Sequence, residues 1–500
     1  MWNETLTDQG YLIEVAEKYG LYKHIRFNST VDEARWDNTA LKWRVGVSVS
    51  GAKDSQYIEG YEMESDFLVS AVGQLNVPQE PNIPGLHSFQ GKTMHSARWD
   101  WSYDLKGKRT AVIGNGATAV QIVPEVAKVA SHLTVYQRTP NWIVPRADRS
   151  VTGVEKALFA YVPFVQWAKR AIQMDMREYF HGAVTDANSE LSQTLRKLSL
   201  DMMKKQLPDR PDLWDKLTPN YSPGCKRVLI TDDYYPTLAQ EHVDLETRHI
   251  TRITETGIET DDGDLQECDL IVLATGFRSV EFMFPIQVYG MNGRPLSDIW
   301  KGGAMAYNGV TVEDLPNFAM LYGPNTNLGK SGTVLALIAC CCTKYCPPPP
   351  GHNSIILMIE AQSRYLNGMI GEVLRARQQG KSLAVRPRAE TVQQYNETIQ
   401  AQLRTSAFAD PNCNSWYKTE DGRITNNWPG TVPRYQGELS RVRWEDYLVE
   451  GSGREGIGGR RKSTHVGRVH EGNLVSTVSA VLGTVGVLLA AGRYYYQRAI

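Results

Sequence analysis

Two groups of residues in this 500-residue chain have the types and spacing to do chemistry. The first is a glycine turn. Lys108-Arg109-Thr110-Ala111-Val112-Ile113 is a short apolar strand that opens into Gly114-Asn115-Gly116-Ala117-Thr118-Ala119. In a Gly-x-Gly-x-x-Ala turn the glycines bring backbone close to a pyrophosphate, and the helix that follows turns its positive end toward the anion. Thr118 to Ala130 can supply that helix, with a bend expected at Pro124. Leu133 to Arg138 then reads as the second strand of one βαβ unit. An acidic residue at its end would accept from a ribose 2′-hydroxyl, whereas an arginine suits a 2′-phosphate. Arg138 stands there, followed by Thr139, so the unit is read as binding NADPH rather than NADH. The second group is the cationic pair Lys226-Arg227, between Cys225 and the apolar Val228-Leu229-Ile230. On spacing alone such a pair before a strand is more often simply solvated.

Immediately upstream of the glycine turn lies Phe89-x-Gly91-x-x-x-His95-x-x-x-Trp99-Asp100. This pattern resembles the signature of Baeyer–Villiger monooxygenases, which use FAD and NADPH to insert one oxygen atom beside a ketone. The resemblance runs from about Tyr11 to about Gly451, apart from one insert. It implies an α/β fold with two Rossmann-like dinucleotide-binding domains, one for FAD and one for NADPH. The signature would lie at the junction between domains and couple their movement to catalysis.

The same resemblance assigns further roles. Lys226 would help hold the NADPH 2′-phosphate, and Arg227 would reach the flavin and stabilise negative charge beside it as the catalytic residue. The physical logic is sound, since a permanently charged planar fork in a dry site cannot deprotonate. Cys268 to Phe277 ends a buried-type strand in Ala-Thr-Gly-Phe, which places Gly276 beside FAD. Leu315 to Asn327 resembles the segment approaching the flavin ring and carries Asn325. Trp416 would sit near the nicotinamide nucleotide, although packing alone explains an aromatic residue equally well. Asn427-Trp428-Pro429-Gly430 matches the family's C-terminal part.

The domain reading follows. Residues 1–79 are a remnant of the FAD domain, whose opening βαβ unit with its Gly-x-Gly-x-x-Gly turn is missing. Residues 80–245 form the NADPH domain with a helical insert at 151–217, and 246–450 return to the FAD domain. Lys330 to Gly351 breaks the run with clustered Cys and four successive prolines. Codons for Gly329-Lys330-Ser331 can contain GTAAGT, so this stretch reads as a retained intron of a fungal gene. Residues 451–473 read as a flexible basic linker. Leu474 to Gly492 is uncharged and is followed by Tyr494, Tyr495 and Tyr496, as in a single-pass C-terminal membrane anchor on a cytosolic catalytic domain.

Net charge is −1, which gives no general attraction to nucleic acid. Of seven cysteines, four fall in the odd insert. Cys225, Cys268 and Cys413 stand far apart in sequence, with no metal spacing, and imply a reducing compartment. The expected activity is oxidation of a ketone by O2 to an ester or lactone, in fungal secondary metabolism of the sterigmatocystin type. The alternatives are a flavin-containing N- or S-oxygenase and an inactive NADPH-binding remnant.

Overall fold

The computed structural model describes residues 8–50, 59–146, 150–179, 181, 186–328, 355–458 and 462–467. The insert at 330–351 and the candidate membrane span at 474–492 lie outside the described residues. Among the described residues no helix is long and apolar enough to cross a membrane.

The chain opens with α1 (Asp8–Lys18) and an antiparallel meander, β1 (Ser29–Asp37), β2 (Lys42–Val49) and β3 (Gly60–Ser65). Alternation in β2 is clean: Trp43, Val45 and Val47 are buried, and Trp43 donates its indole N–H to the Pro316 carbonyl at 2.9 Å. The apolar residues of α1 find no core among the described residues, for Tyr11 and Leu12 are largely exposed. The apolar run from Phe67 to Gly73 yields only the short strand β4 (Leu68–Ser70).

The site is carried by a parallel sheet. It contains β5 (Lys92–His95), β6 (Arg109–Ile113), β7 (His132–Tyr136), β8 (Val243–Glu246) and β9 (Leu270–Leu273), in the order β8-β7-β6-β9-β5. Successive side chains leave opposite faces of a strand. Val112, Leu133, Val135, Leu270 and Val272 pack on one face against α2 (Ala119–Ala127). Ala111, Ile113, Tyr136, Ile271 and Leu273 pack on the other against Ile253 and Ile258. Both faces are covered, which is why these strands are nearly all apolar. The helix continues through Pro124 and stops at Ala127, earlier than its sequence pattern suggests. The sheet also takes in β9, beyond the boundary expected at residue 245.

Helices α3 (Gly153–Tyr161), α4 (Pro163–Tyr179) and α5 (Glu190–Gln206) follow β7. The second large core is built on α6 (Ile355–Gln378), with β10 (Phe318–Met320) parallel to β4 and β11 (Asn327–Leu328) parallel to β12 (Asn427–Trp428). The expected linker at 451–473 is not loose where it is described. Ser463–His465 pairs with Arg441–Arg443, Ile457 is buried in the α6 core, and Trp444 Nε1 donates to Thr464 Oγ1 at 2.9 Å. A few apolar side chains anchor this glycine-rich segment.

Candidate functional site

The glycine turn is tight on one side and open on the other. Gly114 has φ 113°, and a Cβ there would lie 2.5 Å from the Ala274 carbonyl oxygen, so only glycine fits. An added Cβ at Gly116 would meet nothing within 4 Å, which leaves room for a ligand at the start of α2. Ala119 is fully buried and lets the helix seat closely. Three amides hold the turn in shape. Asn115 Nδ2 donates to Gln137 Oε1 at 2.8 Å and to the Thr139 carbonyl at 2.9 Å. Asn141 Nδ2 donates to the Asn115 carbonyl at 2.9 Å. The sequence pattern gives no hint of these clamps, because Asn and Gln in a turn are ordinary.

Arg138 is exposed just past β7, and Lys226 reaches it from the loop before Leu229. Burial and then the Arg138 charge push the Lys226 ammonium down to about 8. Two cations in mutual repulsion, neither paired with a carboxylate among the described residues, make a site for a multiply charged anion. Arg227 is exposed and unpaired among the described residues. Its charge acts on two buried tyrosines. Burial raises Tyr322 to about 12 and Tyr417 beyond the ordinary range, and Arg227 opposes both shifts.

Those tyrosines mark where three segments meet. Tyr322 Oη donates to Asn327 Oδ1 at 3.0 Å. Asn325, held in the left-handed region at φ 55°, donates from Nδ2 to the carbonyls of Ile424 (2.9 Å) and Asn427 (3.0 Å). Its amide N–H groups thus serve the fold, and only Oδ1 is left without a partner. Trp416 is 37% exposed, with its ring 4.3 Å from that of Tyr417. A disulfide joins Cys225 to Cys413, tying the Lys226-Arg227 loop to the Trp416 loop. This corrects the reading of unpaired, scattered cysteines: folding brings together two that lie 188 residues apart. Ser222 N–H, which donates to Asp410 Oδ2 at 2.8 Å, ties the same two loops.

The Phe89–Asp100 motif has a geometric logic. A Cβ at Gly91 would stand 2.5 Å from the Phe89 ring and 2.7 Å from the Asp269 carbonyl oxygen, so the ring requires the glycine. His95 Nδ1 accepts from the Ala97 N–H at 3.1 Å, which leaves Nε2 to donate to the Gly276 carbonyl at 3.0 Å. Burial lowers the His95 pKa and favours that neutral form. Gly276, at φ 85°, also accepts from the Gln79 N–H at 2.8 Å. His95 therefore fastens the end of β5 to the crossover after β9. Trp99 packs against the sheet core, and Asp100 accepts from Lys92 Nζ at 2.5 Å and from Ser102. The motif residues stand together at the sheet edge, and the cations and Trp416 form a separate group.

A model of the flavin-binding monooxygenase-like family matches residues 1–290. FAD-binding monooxygenase ktnD of Aspergillus niger is 54% identical over 97% of this chain and 76% of that protein. A Baeyer–Villiger monooxygenase of Streptomyces coelicolor is 36% identical over 90% of this chain and 80% of its own. Among solved structures, oxidized steroid monooxygenase bound to NADP superposes with TM-score 0.69 at 25% identity, covering 88% of this chain and 84% of that one. Closed cyclohexanone monooxygenase gives TM-score 0.70 at 22% identity, over 88% and 84%, a likeness of fold.

Proposed function

Since the chain belongs to the flavin-binding monooxygenase-like family, we propose that it is an FAD- and NADPH-dependent Baeyer–Villiger monooxygenase. The reaction would take a ketone, O2, NADPH and a proton to an ester or lactone, water and NADP+. When bound, NADPH supplies two electrons and FAD the activation of dioxygen. The residues present fit NADPH, since the open face at Gly116 and the unpaired cations suit a phosphorylated dinucleotide; for FAD the described residues offer Gly276, at φ 85°, and Asn325.

In this reading Gly114, Gly116 and Ala119 cradle the NADPH pyrophosphate, and Arg138 and Lys226 hold its 2′-phosphate. Trp416 lines the nicotinamide end. Gly276 and Asn325 belong to the FAD side. Arg227, between the two, presents a fixed positive charge where negative charge develops on oxygen, a role that needs no reorganisation during reaction. His95, through Gly276, links the two sides. The observation that carries the reading is the pair Arg138 and Lys226, brought together with no carboxylate to neutralise it among the described residues. The Aspergillus niger relative supports a setting in fungal secondary metabolism. The test is incubation of the full chain with FAD, NADPH, labelled dioxygen and a panel of ketones. One labelled oxygen atom in an ester is expected. Oxygenated amines or thioethers without any ester would overturn the proposal.

A further inference from the structure

One buried side chain touches both halves of the cationic pair. Tyr221 is 3% exposed and packs with Trp142, Cys225 and Cys413 in a small core. Its hydroxyl donates to the Pro140 carbonyl at 2.9 Å, two residues beyond Arg138. Its ring carries the Lys226 ammonium, 5.2 Å from the ring centre. The backbone around it is tied from both sides. The Tyr221 carbonyl accepts from Trp142 Nε1 at 2.8 Å, and the Lys216 carbonyl accepts from Gln137 Nε2 at 2.7 Å. The stretch 137–142 that bears Arg138 is thereby fixed to the stretch 216–226 that bears Lys226.

The ring answers an electrostatic problem. Lys226 is half-buried, lies in the field of Arg138 and has no carboxylate partner among the described residues. Desolvation and like charge both oppose its ammonium form. An aromatic face is the negative part of the ring quadrupole and attracts a cation within about 6 Å. A carboxylate would attract it more strongly, but would neutralise the pair and repel an incoming phosphate. A neutral ring supports the ammonium and leaves its charge free for an anion. Burial raises the Tyr221 phenol above its ordinary value, so the ring stays neutral where Lys226 titrates.

We infer that Tyr221 is a positioning residue for dinucleotide selectivity: it holds the Lys226 ammonium on its ring beside Arg138, and so favours NADPH over NADH. The inference rests on the function proposed above, in which these two cations take the 2′-phosphate.

The experiment varies the ring without emptying its place. The full chain is compared with Tyr221→Phe and with a chain carrying trifluorophenylalanine at position 221, whose fluorines draw charge from the ring face at nearly constant shape. Tyr221→Leu removes the ring altogether. Affinities for NADPH and NADH are measured by calorimetry across the pH range around 8 where Lys226 titrates, with melting temperatures alongside. The trifluorinated ring should bind NADPH about three- to tenfold more weakly than Tyr221→Phe, and NADH equally well. The pH at which NADPH affinity falls should also move down, because the ammonium has lost support. Tyr221→Phe should keep the midpoint of the unsubstituted chain, and Tyr221→Leu should show both effects more strongly. If Tyr221→Leu fails to fold, the fluorinated comparison decides alone. Equal NADPH affinity and an equal midpoint for the two rings would overturn the inference and make Tyr221 a packing residue. Equal losses for both nucleotides would do the same. A Lys226→Met chain with an unchanged preference for NADPH would overturn the assignment of the cations themselves, and this inference with it.

Discussion

Arg138 and Lys226 repel each other in the free protein, and a bound 2′-phosphate would relieve that repulsion. Arg138→Ala should therefore weaken NADPH binding by about tenfold or more, corresponding to roughly 1.5–3 kcal/mol for a charged hydrogen bond, and leave NADH nearly unchanged. Titration with both nucleotides decides this, and equal losses would remove the assignment. Lys226 adds a pH dependence. With its folded pKa pushed down to about 8, NADPH affinity should fall as pH rises through that region, and Lys226→Met should flatten the fall. Stability moves the other way. The unfolded lysine holds its proton up to about 10.5, so between 8 and 10.5 the unfolded state binds more protons and the apoprotein gains stability with pH. Arg227→Ala should leave FAD binding intact while ester formation falls by roughly 10²–10³, the usual loss for one preorganised donor. Rapid-mixing spectroscopy with a ketone would separate slowed flavin reduction from slowed oxygen insertion, and near-normal ester formation would make Arg227 a mere surface cation.

At the scale of elements, two loops from distant parts of the chain are fastened to one another. The Cys225–Cys413 bridge and the Ser222–Asp410 hydrogen bond hold the Lys226-Arg227 loop against the Trp416 loop. A bridge closing so long a loop removes much freedom from the unfolded chain. Replacing both cysteines by serine should cost about 2–4 kcal/mol in denaturant unfolding, and it should also loosen NADPH binding by freeing the loop of Lys226, whose ammonium lies 5.2 Å from the centre of the Tyr221 ring. Mass spectrometry of unreduced digests should find the linked peptides, and their absence would leave Asp410 as the main tie. The Phe89–Asp100 motif works by a different device: a ring that requires a glycine beside it, and a histidine whose single N–H is spent on the Gly276 carbonyl.

Across the whole molecule, the helical insert is docked on the C-terminal segment. Met174 of α4 enters the α6 core, the Val432 N–H donates to Glu178 Oε1 at 3.3 Å, and His181 bonds the Pro429 carbonyl at 2.9 Å. Burial is the main cause that raises the Glu178 carboxyl to about 7, with the Asp175 charge adding to it. The sign follows from proton counting. Between about 4.5 and 7 the folded state binds more protons at this group, so its contribution to stability declines as pH rises and is lowest above 7. Glu178→Gln should therefore be more stable than the parent above pH 7, with the advantage shrinking toward pH 4.5. Melting curves across that range test it, and a constant difference would show that Glu178 is not buried in solution. His181, whose pKa burial lowers, is present in both proteins and cancels in the comparison.

What the sequence determined by itself was local. The strand–turn–helix–strand order around Gly114, and the arginine at Arg138, follow from spacing a few residues long. So does the Phe89–Asp100 signature, because the ring–glycine contact and the His95–Ala97 bond are made within one short stretch. The apolar alternation of β2 likewise reported its buried face. Long-range assembly was another matter. Nothing near Cys225 announces Cys413, and the glycine-rich stretch past Gly451 gave no sign that Ile457 would anchor it in the core. The face of α1 looked ready for burial and meets no core among the described residues. Asn427 shows the limit most clearly. An asparagine in sequence is read as a turn or surface residue, because its amide prefers water or local backbone. Only the packing of β11 beside β12, from segments a hundred positions apart, closed water out and left its amide unmatched.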